Sequence, residues 1–209
     1  MKQHLADREG FLWPINDRET WPCVKQELAE IPHLLDLVKK RRTCIQAGGN
    51  AGLWPHALAP HFERLWTFEP DPVLFHCLVA NTPFENVRAF PAALGTRGGT
   101  FCELDRWIPT NPGANRVDFG RGTAPVLAID EFMLTDVDLI QLDIEGAELH
   151  ALRGAEGTIE ACRPVICIEL RGHSGRFGNS DQDTRNWLTH RGYRKAARMF
   201  CDEFWTPDA

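Results

Sequence analysis

The sequence predicts an α/β fold built on a doubly wound, mostly parallel sheet. Three observations carry this. From residue 43 onward, short apolar segments of strand length alternate with segments of helical periodicity. The segments VDLIQLDI (137–144) and PVICIEL (164–170) are apolar almost throughout, as strands covered on both faces are. The unusual residues fall at the carboxyl ends of these segments: Gly48-Gly49-Asn50, Glu69, Ala92-Ala93 and Asp143-Ile144-Glu145. Right-handed crossovers wind such a sheet in both directions, and its ligands sit where the strand order reverses.

The elements follow in order. Residues 1–22 read as an irregular arm carrying Trp13, Pro14, Trp21 and Pro22. A helix over 24–40 places Leu28, Ile31, Leu34, Leu35 and Val38 on one face, with Lys39-Lys40-Arg41-Arg42 as its solvated, dipole-favoured end. Residues 1–42 are thus expected to pack, as arm and helix, on a domain spanning 43–209. A strand over 43–47 leads through the glycine cluster into a helix over 52–62, begun at Asn50 or Ala51, where Pro55 is tolerated in the first turn. A strand over 64–68 runs into EPDP, where Asp71 is the N-cap and Pro72 the first residue of a helix ending at Asn81. A strand over 87–91 follows. Residues 95–124 are rich in Gly, Thr, Asn and Pro and read as a short antiparallel excursion with a mobile, lid-like loop at 109–123. Residues 126–129 are extended. Strand 137–144, helix 145–162 and strand 164–170 come next, then a glycine-rich loop at 171–179. Ser180 or Asp181 caps a helix ending near Gly192, and 193–200 pairs antiparallel with 201–206.

The bulk numbers exclude several function classes. The chain has 209 residues, 43% hydrophobic and 25% charged, as expected of one globular domain. A net charge of −6 argues against a nucleic-acid partner. Its apolar runs are far shorter than the about 20 residues a membrane span needs. The polar N-terminus MKQHLADREG is unlike a signal peptide, so a cytoplasmic location is expected. Seven scattered cysteines without a C-x-x-C read as reduced thiols, and His56 and His61 lack partners at zinc spacing.

Each notable residue has a plain structural reading. Glu69 suits a helix start, Glu145 and Glu148 resemble a weak capping pair, and Glu169 in its apolar strand needs a partner. Their convergence on strand ends is the stronger signal. A glycine turn followed about 20 residues later by an acid suits two cofactors. A dinucleotide requires G-x-G-x-x-G. The spacing here is G-G-x-x-G, which disfavours a nicotinamide-dependent oxidoreductase. S-adenosylmethionine carries no phosphate; it requires a close backbone and an acid for its ribose hydroxyls, which Glu69 supplies.

The segments QAGGNAGLW, TFEPDP, Asn81, AALG (92–95), IDEF (129–132), LDIEGAELHALRGA (142–155) and RPVICIEL (163–170) together resemble the FkbM family of S-adenosylmethionine-dependent methyltransferases, over about residues 43–205. The resemblance implies a class I methyltransferase sheet of seven strands with the last antiparallel, and O-methylation of sugars or secondary-metabolite hydroxyls. It puts Gly48, Asn50 and Gly52 around the methionine moiety, Glu69 on the ribose, Ala93 by the adenine and Asp143 near the sulfonium and acceptor. Gln46, Gly49, Pro70 and Ala92, in the same segments, complete the candidate cofactor set. Gln46 and Gln141 depart from the family pattern, which has an acid and a lysine there.

Methyl transfer needs near-attack geometry and a base for the hydroxyl proton. Asp143 is the first candidate, His173 the second and Glu145 the third. Asp143 and Glu145, two apart, face one side if extended, and two carboxylates alone assign no metal. The competing reading is a catalytically weak relative that binds S-adenosylmethionine and acts as partner or regulator. The expected partner is a small-molecule or glycan acceptor, in a pocket shaped by the arm, 109–123 and 171–179. Trp54 and Trp107 serve either the core or stacking on a sugar or base.

Overall fold

The computed structural model describes residues 5–208. A central sheet of seven strands is built from β3 (Thr43–Ala47), β4 (Arg64–Phe68), β5 (Val87–Phe90), β10 (Val137–Leu142), β11 (Val165–Glu169), β12 (Tyr193–Met199) and β13 (Asp202–Pro207). Their order is β12-β13-β11-β10-β3-β4-β5. The pairs from β11 through β10, β3 and β4 to β5 are parallel, and β13 alone runs against the rest. The fold class read from the sequence is the fold observed.

Strand alternation divides the core in two. Ile45, Ile140, Leu142, Ile166 and Ile168 pack on the side of α5 (Glu148–Arg153), α6 (Glu156–Cys162) and α7 (Asp181–His190). Cys44, Leu139, Cys167 and Phe204 pack on the side of α2 (Ile31–Leu37) and α3 (Leu53–Leu58). Both faces are covered by helices, which is why the central strands are largely apolar, with buried Gln46, Gln141 and Glu169 among the exceptions. All seven cysteines are free.

The locally coded elements fall where expected. Asp71 caps α4 (Pro72–Asn81), accepting from the N–H groups of Val73 and Leu74. Ser180 caps α7 in a reciprocal box with Asp183.

Five expectations are corrected. The arm is a hairpin of β1 (Leu5–Arg8) and β2 (Phe11–Pro14), held by Asn81, which exchanges hydrogen bonds with both backbone groups of Leu12 and donates to the Ala51 carbonyl. The 24–40 helix is two: α1 (Thr20–Glu27) begins earlier because Asp17 accepts from the N–H groups of Glu19, Thr20 and Trp21, and a 3₁₀ turn at Leu28–Glu30 separates it from α2. Pro32 causes the break, since it has no N–H and clashes with the carbonyl four residues back. The basic run lies beyond α2, and Arg42 grips Asp138 rather than water alone. Helix 52–62 is short: α3 is preceded by Gly52 at φ +97 and followed by a 3₁₀ turn at Ala59–His61.

Helix 145–162 is also split. The Gly154 carbonyl accepts from Asp130 N–H, and a Cβ on Gly154 would lie 2.0 Å from the Gly95 oxygen. The Asp130 carboxylate then caps α6 through Gly157 and Thr158 N–H. Finally, the antiparallel excursion expected in 95–124 is present but larger, a second sheet of β6 (Ala93–Leu94), β9 (Ala124–Leu127), β7 (Thr100–Asp105) and β8 (Arg116–Phe119), in the order β6-β9-β7-β8. The expected lid loop contains β8 and a 3₁₀ turn at Pro112–Ala114.

Candidate active site

The sheet order reverses between β3 and β10, and the loops leaving their carboxyl ends border a cleft, where ligands of such sheets sit. Gly48, Asn50, Glu69, Pro70, Ala92 and Ala93 line it from the β3, β4 and β5 ends, and Asp143 and Glu145 from the β10 end. Gln46, Gly52 and His173 do not line it; Gly49 reaches only a smaller cavity behind it, shared with Trp54 and Asp143.

The three glycines have separate reasons. Gly48 sits at φ +82, where a Cβ would lie 1.8 Å from the Asp143 carbonyl oxygen. Only glycine lets the two loops approach this closely while keeping that backbone angle. Gly48 and Gly49 N–H both donate to the Phe68 carbonyl. A Cβ on Gly49 would lie 2.2 Å from Leu78 Cδ1, and one on Gly52 would lie 3.1 Å from Leu78 Cα. These two glycines seat the loop on α4, so their expected place beside a ligand gives way to packing.

Gln46 is fully buried; its amide donates to the Gly48 carbonyl and its oxygen accepts from Thr67 Oγ1. An ionised carboxylate could not donate the first bond, so the neutral amide is used in tying this loop.

Glu69 is 5% exposed, and each of its oxygens accepts one backbone N–H, from Asp71 and Asn50, both at 2.8 Å. Burial pushes its pKa up to about 7, against the pull of those two donors. The carboxyl is fixed, with lone pairs left over for a pair of hydroxyls.

At the other wall β10 stops at Leu142, and the chain turns through Glu145 at φ +56 and Gly146 at φ +104. Glu148 pins this turn by accepting from Ile144 and Gly146 N–H, both at 3.1 Å. The capping role therefore belongs to Glu148, and Glu145 is free to face the cleft. Asp143 and Glu145 converge through this left-handed turn and not through extended geometry. Glu169 joins them, one oxygen from each of the three lying within 4.8 Å of the others.

Burial, and then the charge of Glu145, pushes Asp143 up to about 6; burial, and then Asp143, raises Glu169 to about 12. Of this pair Glu169 is the group that keeps the proton, with Arg171 Nε at 2.6 Å from its Oε1. His173 Nδ1 lies 2.6 Å from Glu145 Oε2, without hydrogen-bond alignment. Burial and the charges of Arg116 and Arg171 lower the His173 pKa, which favours the neutral imidazole a base requires.

Sequence reasoning missed Arg171, the partner that the buried Glu169 called for, but the segment 109–123 was expected to cover the cleft and does. Pro112, Gly113, Asn115 and Val117 line the cleft from above. This cover is tied down: Gly113 N–H donates to Thr20 Oγ1, Arg18 N–H to the Thr110 carbonyl, and Arg106 and Asn115 reach Asp71. Trp54 is core, while Trp107 is 48% exposed with the Arg116 guanidinium 3.6 Å over its ring.

The fold is that of class I methyltransferases. It superposes on the crystal structure of the N-methyltransferase NodS from Bradyrhizobium japonicum in complex with S-adenosyl-L-homocysteine, with a TM-score of 0.56 and 13% identity over 98% of this chain and 93% of that one. The methyltransferase FkbM from Methylobacillus flagellatus gives a TM-score of 0.53 and 18% identity, over 79% of this chain but 43% of that one. This chain therefore spans under half of that relative. A ribosomal protein L11 methylase from Lactobacillus delbrueckii gives 0.53 at 8% identity, over 89% and 79% of the two chains. No curated protein matches the sequence.

Residues 47–195 match the methyltransferase FkbM domain, and the chain belongs to that family. S-adenosylmethionine is the cofactor that goes with it, and the Gly48 cradle and the fixed Glu69 fit that cofactor. The nicotinamide reading falls with the family assignment.

Proposed function

We propose that the protein methylates a hydroxyl of a sugar or small molecule. The observation that carries this reading is the placement of Asp143, with Glu145 and His173 behind it, on the wall of the cleft opposite the fixed Glu69. Glu69 takes the ribose hydroxyls, Gly48 and Asn50 receive the methionine end, and Ala92 and Ala93 border the adenine. The cofactor supplies an activated methyl group whose bonding pair returns to sulfur on transfer. Asp143 orients the acceptor hydroxyl and accepts its proton as the new C–O bond forms. Neutral His173, beside Glu145, is the second proton acceptor. The wall at 112–117 keeps water from the reacting atoms.

Gln46 does not favour the partner-or-regulator reading, because its neutral amide is used in holding the glycine loop. The acceptor partner is a small molecule or glycan. Among the described residues no helix is long and apolar enough to cross a membrane.

Three measurements test this reading. S-adenosylhomocysteine at about 100-fold over its dissociation constant should stabilise the protein by about 2.7 kcal/mol in thermal unfolding, while NAD should not. In Glu69→Ala the affinity should drop by at least about tenfold, the cost of one charged hydrogen-bonding group. Unchanged affinity removes Glu69 from the ribose. With an acceptor in hand, Asp143→Asn should cut turnover by about a hundredfold at nearly constant cofactor affinity. Equal turnover would hand the base role to His173.

A further inference from the structure

The roof of the cleft is braced from within and anchored at few points. Residues 106–115 form the loop of the β7–β8 hairpin, whose ends are held together by the pairing of Asp105 with Arg116. Trp107 Nε1 donates to the Ala114 carbonyl at 2.8 Å, Asn111 N–H to the Ile108 carbonyl, and Ala114 N–H to the Asn111 carbonyl. The Arg116 guanidinium lies over the Trp107 ring and completes this brace. Among residues 106–115 only Ala114 is buried. A compact loop with bonds of its own and little apolar burial can lift as a body at low cost.

Two clamps hold it down. Asp71 Oδ2 accepts from Arg106 Nε at 2.7 Å and from Asn115 Nδ2 at 3.2 Å, so it grips both ends of the loop. Thr20 Oγ1 accepts from Gly113 N–H at 3.0 Å and donates to Asn111 Oδ1 at 2.9 Å, which grips the tip, beside Arg18 N–H on the Thr110 carbonyl. Both clamps adjoin the floor of the cleft. Asp71 N–H holds Glu69 Oε1, and Gly113 is wedged between Thr20 and Asn50. A Cβ on Gly113 would lie 2.6 Å from Thr20 Cγ2 and 3.1 Å from Asn50 Nδ2. Its backbone is not left-handed, so space alone calls for glycine here. Pro112, Gly113 and Asn115 line the same cleft as Glu69 and Asp143, and a ligand reaching from one acid to the other lies beneath them.

We propose that residues 106–115 are a gate for S-adenosylmethionine, latched at its ends by Asp71 and at its tip by Thr20. Opening releases these bonds and leaves the internal brace intact; the cofactor then enters and its product leaves. Asp71 couples the gate to the ligand, since the residue that fixes the carboxyl for the ribose also holds the roof above it. The missing side chain of Gly113 lets the tip settle onto Asn50 when the gate shuts. The gate rests on the placement of the cofactor between Glu69 and Asp143 proposed above, and not on the acceptor.

Stopped-flow binding of S-adenosylhomocysteine to the full chain, followed by tryptophan fluorescence, tests this. Loosening a gate speeds entry and exit together, whereas loss of a static contact speeds exit alone. Thr20→Val and Arg106→Ala should each raise both rates by about three- to tenfold, the worth of one or two hydrogen bonds. Arg106 is half exposed, so its variant serves if Thr20→Val fails to fold. Gly113→Ala should speed release and weaken affinity by at least about tenfold, because the gate no longer shuts. Arg121→Ala is the control, since that guanidinium pairs with Glu103 and Asp118, outside the segment. A second readout needs no ligand: trypsin should cut after Arg106 at least about threefold faster in Thr20→Val than in the wild type, as the open form becomes more populated. Wild-type rates of binding in the folded variants, or faster release with unchanged entry, overturn the gate, as does unchanged cleavage in folded Thr20→Val. Cleavage is read without cofactor, and S-adenosylhomocysteine binding by the wild type decides the cofactor site, so the two failures are separable.

Discussion

Gly48→Ala is expected to lose measurable cofactor binding, at least about a hundredfold in affinity, and to destabilise the protein by about 3 kcal/mol. Two effects add. The residue sits at φ +82, where an L side chain is strained, and its Cβ would fall 1.8 Å from the Asp143 carbonyl oxygen. That oxygen is backbone, held in place as Asp143 N–H donates to the Ala47 carbonyl at 3.1 Å. It cannot swing away as a side chain would, so the β3 and β10 loops must part. Parting moves Asn50, whose N–H holds Glu69, and Asp143 itself. Binding should therefore suffer more than the folding loss alone predicts. Gly175→Ala is the control, since a Cβ there meets nothing within 4 Å. Calorimetric titration with S-adenosylhomocysteine and urea unfolding of both variants make the comparison. Wild-type affinity in Gly48→Ala would show that the contact between these loops does not shape the cofactor site.

The cofactor-free protein should lose stability as pH rises from about 4.5 to about 8, with Glu148 as a principal cause. Glu148 is 2% exposed, and burial pushes its pKa from 4.5 up to about 8, against the pull of backbone N–H groups. Below 4.5 the folded and unfolded chains both hold the proton. Above it the unfolded chain releases the proton while the folded chain keeps it until about 8, so the folded state is progressively disfavoured across that window. Glu69, raised to about 7, acts in the same direction. Glu148→Gln removes the titration and keeps an oxygen to accept from Ile144 and Gly146. It should flatten the profile and raise stability at the alkaline end by about 2–4 kcal/mol. Urea unfolding across the pH range reads this directly. Parallel profiles for the two proteins would show that Glu148 titrates like a solvated acid.

The pH profile and the glycine substitution rest on different kinds of information. The strand segments, the Asp71 cap and the Ser180 cap were legible because each is settled by neighbours within a few residues. The two-sided apolar strands gave the fold class for the same reason. The helix at 24–40 was misread at Pro32, a local signal that was present and overlooked. The helix at 145–162 was misread because its break depends on Asp130, a residue outside it. The segment at 109–123 looked like a loop because its composition is that of a loop; its structure comes from pairing with β7 and from Thr20 and Asp71, none of them adjacent in sequence.

The site divides along the same line. Sequence alone determined that Gly48, Asn50, Glu69, Ala93 and Asp143 stand at strand ends, because a parallel sheet delivers every such end to one edge. Only the tertiary structure decided what each does there. Gly49 and Gly52 turn to α4, Gln46 ties the loop, Glu148 takes the capping bonds that release Glu145, and Glu169 arrives from a neighbouring strand to make a cluster of three acids. Strand ends are fixed by local periodicity, but the direction of a side chain in a turn, and the company a buried charge keeps, depend on which distant segments pack against it.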